Sequence, residues 1–289
     1  MIFRPRNRHT YRCDGSGKAH GGREPLQRQG REGRHERQLV LLAAVLPVVR
    51  GQGPLGAESG GTTAGSDNRE VILKLYDFPS SPHCLKVRAV AHELGVRLDL
   101  TTVNIFKRET EAPVFRALNP NGLVPVLVDG DFVLWESNAI ITYLAMTHPT
   151  PSLLSTDARE RADVDRWLHW QSAHLGPALS RIAFERFVKP MTGQGETDAA
   201  AAASARRDFT RHCAALEASL VDTEYVARRL TVADFALACV LNTSAMIGLD
   251  LEAFPRVSAW LRRMLARESI KRALADAHAS LSGMYVPQN

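Results

Sequence analysis

Between Val71 and His148 the spacing of apolar residues switches repeatedly between two periods, and that order of switches limits the fold more than any other property of the chain. "VILKLYDF" is a short apolar run rich in β-forming residues. "SPHCLKVRAVAHELG" follows with helical period: Cys84, Val87, Ala91 and Leu94 share one face, and Gly95 stops the helix. "VRLDLTTVNI" alternates and predicts a second strand. Glu109 to Leu118 predicts a short helix, and "NPNG" a turn. "VPVLVDGDFVLWES" predicts two strands folded about Asp129-Gly130-Asp131, a strong hairpin signal. "SNAIITYLAMTH" predicts an amphipathic helix. A helical crossover joins the first two strands, which are expected to run parallel; the tight turn makes the last two antiparallel.

The order β-α-β-α-β-β-α predicts an α+β, thioredoxin-like domain over residues 70–147. Beyond Asp157 nearly every segment has helical period. "DARERADVDRWLHWQSAHLGPALSRIAFERFV" and "DAAAAASARRDFTRHCAALEASLV" predict long helices. "LTVADFALACVLNTSAMIG" is the most apolar and predicts the central core helix, and "FPRVSAWLRRMLARESIKRAL" holds two shorter ones. An all-α helical-bundle domain is therefore expected over residues 156–289. It is joined to the first domain by "HPTPSLLST", where prolines and hydroxyl residues break regular structure.

Charge separates the N-terminal stretch from the rest. The net charge of +5 comes entirely from residues 1–70, with 12 basic and 7 acidic residues, because the remainder carries 24 of each. The body of the chain thus has no electrostatic footprint for nucleic acid. Residues 1–69, rich in Arg, Gly and Gln, predict a disordered or dispensable extension. Its one apolar run, Leu39 to Val49, falls well short of the ~20 residues that span a bilayer. That run lies behind a longer basic stretch than a signal peptide uses, and Pro47 interrupts it. No membrane partner is expected.

Four cysteines, Cys13, Cys84, Cys213 and Cys239, form no CxxC pair, which fits a reducing, cytoplasmic setting better than a disulfide framework or a zinc site. His169 and His174, five apart, do not share a helix face well, and no metal is expected.

Three short stretches carry the chemistry. Pro125 opens a strand expected in the middle of the sheet, where a proline cannot donate to the ladder. Either the Val124–Pro125 bond is cis, freeing the Val124 backbone to pair with an extended ligand, or a trans proline starts an edge strand. Glu136 and Ser137 stand where a strand gives way to a helix. Ser137 is expected as the N-cap, at a helix end suited to a carboxylate, with Glu136 placed to hold an amine. Otherwise the pair simply caps the helix. Ser81 precedes the first helix, and Cys84 lies within its first turn. Cys84 shares the apolar face with Val87 and Ala91, so its thiol is expected to be core, with a raised pKa.

Together "SSPHCLKV", "NPNGLVPVLVDGDFVLWESNAIITYLA" and "LTVADFALA" resemble, in order and spacing, the cytosolic glutathione S-transferases of the serine-type, theta- and phi-like bacterial groups, over about three-quarters of the chain. The resemblance implies that glutathione is the co-substrate and that the protein is a homodimer. It also implies that Ser81 donates a hydrogen bond to the glutathione sulfur, that the backbone of Val124 beside Pro125 pairs with the cysteinyl part, and that Glu136 and Ser137 hold the γ-glutamyl end. In "TVAD", Thr231 and Asp234 resemble the family's helix-capping box, a folding device.

The chain departs from the family at Leu123, where many relatives carry a residue reaching the glycyl end of glutathione; Lys107 is expected to replace it. It also lacks the glycine usual before the capping box. Trp167, Trp170, Phe184 and Phe187 are candidates for an apolar wall above the sulfur, or else for core; Trp167, Trp170 and His174 share one helix face. Two rival readings are a glutathione-dependent thiol-disulfide oxidoreductase using Cys84 and a non-catalytic protein-interaction module.

Overall fold

The computed structural model describes residues 73–284. The basic extension, with Cys13 and the run Leu39 to Val49, lies outside the described residues. Strands β1 (Leu73–Asp77), β2 (Leu98–Thr102), β3 (Val126–Asp129) and β4 (Phe132–Trp135) form one sheet in the order β2-β1-β3-β4. β1 and β2 run parallel, with Leu75 opposite Leu100, and the other two pairings are antiparallel. Asp129 faces Phe132 across the turn Gly130-Asp131, as the hairpin signal predicts.

The sheet domain adds α1 (Pro82–Leu94), α2 (Pro113–Leu118) and α3 (Ser137–Thr147). The helical domain holds α4 (Ala158–Trp170), α5 (Gly176–Ala183), α6 (Lys189–Thr192), α7 (Ala199–Ser219), α8 (Val232–Leu241), α9 (Pro255–Leu265) and α10 (Glu268–Met284). This is the thioredoxin-like sheet followed by an all-helical domain that the periodicity predicts. The helix expected from Glu109 is split: a 3-10 turn, Glu109–Glu111, precedes α2, because Pro113 lacks the N–H an unbroken helix needs there and opens a new one instead.

α1 begins at the N-cap Ser81 with Pro82 in the first turn, and ends where Gly95 takes the left-handed conformation, φ 70°. The expected face is buried, but so is every residue from Cys84 to Ala91, including Lys86 and Arg88. The reason is tertiary. α1 packs against α3 on its own domain and against α8 and α10 of the other, so no side is left for water. One apolar core runs through both domains, joining Leu75, Leu127 and Ile140 to Phe235, Leu237 and Trp260. Each such large side chain, fully buried, contributes about 1.5–3 kcal/mol.

α4, α5 and α6 form one interrupted rod, with π-helical turns at Gln171–Leu175 and Phe184–Val188. Gly176 has a packing role at the first of these. A Cβ there would stand 2.9 Å from both the carbonyl oxygen and Nε2 of Gln171, so glycine is what lets that side chain fold back over the turn.

All ten residues of α8 are buried, which confirms it as the central helix. It stops at Leu241, whereas the sequence reading carried it toward Gly248. Asn242, Thr243 and Ser244 begin a run of turns, since short polar side chains compete for the backbone. At its start the Thr231 N–H donates to Asp234 Oδ2 at 3.0 Å. Asp234 Oδ1 accepts from Val226 N at 3.1 Å and Trp260 Nε1 at 3.0 Å. Burial pushes the Asp234 carboxyl up to about 6, against those four donors, Thr231 Oγ1 among them. Arg228, just upstream, sits at φ 67°, in the left-handed region that glycine favours.

Candidate functional site

The loop between β1 and α1 is braced from below. Asp77 and Arg88 form a buried ion pair, and Arg88 also donates to the Pro79 carbonyl at 3.0 Å. This fixes the chain just before Ser81, whose N–H donates to Phe78 O at 2.9 Å. Ser81 Oγ accepts from Cys84 N at 3.4 Å, and an oxygen that accepts there still has its hydrogen to donate. Cys84, by contrast, is fully buried. Its Sγ accepts from Phe78 N at 3.4 Å, and burial, reinforced by the nearby Asp77 charge, pushes its thiol far up. The two side chains thus differ in access. Ser81 borders open space and Cys84 does not.

That space is a mainly apolar cavity of about 320 Å³ between the domains. Ser81 and Leu85 line one side, and Asn242, Met246, Leu265 and Leu274 the other. The aromatic residues expected there lie elsewhere. Trp167 is buried in the core, edge-on to Trp170 with ring centroids 5.3 Å apart, and Trp170 packs in turn against His212. Phe184 opens the second π turn, half-buried, and neither it nor the two tryptophans lines the cavity. The far side of this cavity comes from the turns after α8, which a helix reading concealed, together with α9 and α10. A larger open depression of about 940 Å³, near Arg166 and Arg228, is more polar and is lined by none of the candidate site residues.

The Val124–Pro125 peptide bond is cis, and β3, which it precedes, is an interior strand. Asn119 steadies this segment: its Nδ2 donates to Leu123 O at 2.7 Å, and its Oδ1 accepts from Asn121 N at 3.0 Å. Lys107 is exposed on the loop after β2, and its neighbour Phe106 packs edge-on against Phe78 in the Ser81 loop, at 5.5 Å.

Ser137 is not the N-cap. It is the first residue of α3, buried, with Oγ 3.4 Å from His83 Nδ1. Burial brings His83 down to about 4, so its ring is neutral near pH 7. Glu136 takes the cap position in a left-handed conformation, φ 72°, and no side chain caps the helix. Such a conformation in a residue other than glycine costs about 1–3 kcal/mol and persists where the surroundings enforce it. The helix thus starts with backbone donors that no side chain of its own covers, a place suited to an anion.

Lys86, Arg88, Asn119 and Asn138 complete this region and were not singled out from the sequence. Among the described residues no group of three or more His, Cys, Asp or Glu is placed to hold a metal ion, and no helix is long and apolar enough to cross a membrane.

Comparison with known proteins accords with this geometry. Residues 75–152 match the family model "Glutathione S-transferase, N-terminal domain", and residues 175–268 match "Glutathione S-transferase, C-terminal domain". Glutathione S-transferase 3 of Zea mays is 35% identical over 209 residues, covering 70% of this chain and 93% of the relative. Glutathione S-transferase D7 of Drosophila melanogaster is 32% identical over 194 residues, 66% of this chain and 83% of the relative. Among solved structures, a glutathione S-transferase-I bound with lactoylglutathione superposes with a TM-score of 0.64 at 30% identity, over 71% of this chain and 99% of that one. Glutathione transferase URE2P8 of Phanerochaete chrysosporium, solved with oxidized glutathione, gives 0.68 at 27% identity, over 74% and 99%. Both domains match in order and a relative is spanned over nearly its whole length, so the chain belongs to the glutathione S-transferase family.

Proposed function

We propose that this chain is a serine-type glutathione transferase that adds the glutathione sulfur to an apolar electrophile. The observation that carries the reading is the contrast at α1: a hydroxyl at the helix start that borders an apolar cavity, beside a thiol sealed beneath it. A free thiol with pKa about 8.5 is only about 3% ionised at pH 7. Lowering that pKa by roughly two units needs about 2.7 kcal/mol of preference for the anion. One charge-assisted hydrogen bond contributes about 1.5–3 kcal/mol, so the Ser81 hydroxyl accounts for most of it, with help from the helix start. Ser81 is then a donor and not a nucleophile; the reacting sulfur belongs to glutathione.

The peptide would lie along the Val124 backbone beside Pro125, its γ-glutamyl end at Glu136 and the open start of α3, and its glycyl end toward Lys107. The electrophile would enter the cavity walled by Leu85, Met246 and Leu265. The residue division is 70–147 for the glutathione-binding domain and 156–289 for the helical one. Phe132 (46% exposed) and Trp135 (39%) on edge strand β4, with Met146 (62%) on α3, support burial against a second copy as a homodimer. The three described cysteines are free, in keeping with a reducing cytoplasmic setting.

The test is the ultraviolet thiolate absorbance of glutathione bound to the full chain, titrated against pH. A pKa depressed in the wild type and restored by Ser81→Ala is expected. Binding with an ordinary thiol pKa in both proteins would refute the serine-type assignment.

A further inference from the structure

A fully buried amine sits directly behind the Glu136–Ser137 turn. Lys86 Nζ donates to Asn138 Oδ1 at 2.7 Å and to Gln171 Oε1 at 3.0 Å. Both acceptors are neutral amides, while Glu136 and Cys239 influence the amine only through space; burial brings it down to about 8, which leaves it mostly charged at pH 7. Asn138 is held at its other end as well. Its Nδ2 shares two hydrogens among three acceptors, Leu168 O at 3.0 Å, Ser172 Oγ at 3.0 Å and Gln171 Oε1 at 3.2 Å. Gln171 reaches this point because it starts a π turn and because Gly176 makes room for it.

Packing alone does not call for such an arrangement. A buried cation without a carboxylate in contact is costly, and an apolar side chain of the same shape would commonly hold the domains at least as well. What the knot does fix is orientation. Asn138 directly follows Ser137, in a helix start that has no side-chain cap and a strained residue at its head. We propose that Lys86 is a positioning residue for glutathione: through Asn138 it locks the first turn of α3 against the γ-glutamyl arm, and through Gln171 it ties that turn to the helical domain. This rests on Glu136 and Ser137 being the γ-glutamyl cradle.

The experiment compares two probes on the full chain, S-hexylglutathione and S-hexyl-cysteinylglycine, which lacks the γ-glutamyl arm. Lys86→Met is expected to weaken the first by about 10- to 100-fold, the range for lost charged hydrogen bonds. It should change the second by less than about twofold, as for independent sites. Asn138→Ala, which keeps the Lys86–Gln171 contact, should show the same selectivity and serves if Lys86→Met folds poorly by circular dichroism. Equal weakening of both probes, or of neither, in the folded variants overturns the positioning role while leaving the glutathione reading intact. If Glu136→Ala leaves S-hexylglutathione binding unchanged, the cradle itself is wrong and the proposal falls with it.

Discussion

Two helices of this chain begin with an acid and a hydroxyl residue within four positions, and they are finished in opposite ways. At α8 the carboxylate of Asp234 turns inward and accepts from Val226, Thr231 and Trp260, so the helix start is closed by the protein itself. At α3 Glu136 is exposed, its backbone sits at φ 72°, and no side chain caps the first turn. One helix start is spent on stability. The other is left without a side-chain cap behind a strained residue, which is why it is proposed as the γ-glutamyl end of the glutathione site.

Exchanging the two behaviours by mutation is the sharpest way to break that contrast. Asp234→Ala leaves four buried donors without their acceptor; at roughly 1–3 kcal/mol each, the loss should reach at least about 4 kcal/mol in denaturant unfolding. Glutathione affinity of the folded fraction should be unchanged. Glu136→Ala should do the reverse, with stability within about 0.5 kcal/mol of wild type and glutathione binding weakened by about 10- to 100-fold in calorimetry. If Glu136→Ala unfolds the protein, the two helix starts are not opposites.

Next in size is the pair at α1. Ser81→Ala should lower kcat/KM by about 10- to 100-fold, through loss of the donor to the sulfur. Cys84→Ala should leave kcat/KM within about twofold and instead cost about 1–3 kcal/mol of stability as a small cavity in the core. A Cys84→Ala variant that folds but loses activity would revive thiol chemistry.

Acid dependence offers a further test at Asp234. The Asp234 pKa is raised to about 6 in the folded protein, above the ordinary value of about 3.9. The folded state therefore binds that proton more tightly, and the contribution is fully present below about pH 4 and lost as pH rises through about 6. Asp234→Asn should flatten this component of the stability–pH curve between those limits. The smallest effect lies just upstream, where Arg228 occupies a glycine-like conformation. Arg228→Gly should stabilise by about 1 kcal/mol in thermal unfolding, because the left-handed penalty disappears.

The sequence made the sheet, the crossover and the central helix legible because each rests on local period and turn chemistry. Strand alternation around Leu73 and Leu75 and the Asp129-Gly130-Asp131 turn need no knowledge of the partner element. The backbone features of the candidate site were legible, with Ser81 as a helix cap and the cis bond before Pro125 among the readings the sequence offered. The site was not legible where charge is buried. Lys86 and Arg88 look like the wet side of an amphipathic helix, and only tertiary packing encloses them: Arg88 meets Asp77 and Pro79, Lys86 meets Asn138 and Gln171, and α8 and α10 pack on the same helix. The electrophile wall was sought among tryptophans, yet an aromatic at helical spacing serves the core as readily. The polar cluster Asn242-Thr243-Ser244 inside an apolar run was the available sign that the helix ends and a cavity begins.

The sealing of Cys84 reaches beyond the choice of reacting atom. Cys84, Cys213 and Cys239 are all buried, and burial holds the latter two thiols at about 12. Oxidants and disulfides attack thiolates that they can reach. With Ser81 as the proposed working group, the described thiols are covered and unneeded, and a turn to oxidising surroundings would leave the site unmodified. Its output would fall only as reduced glutathione runs short, so the supply of the small molecule, and not damage to the protein, would set how long it works under peroxide.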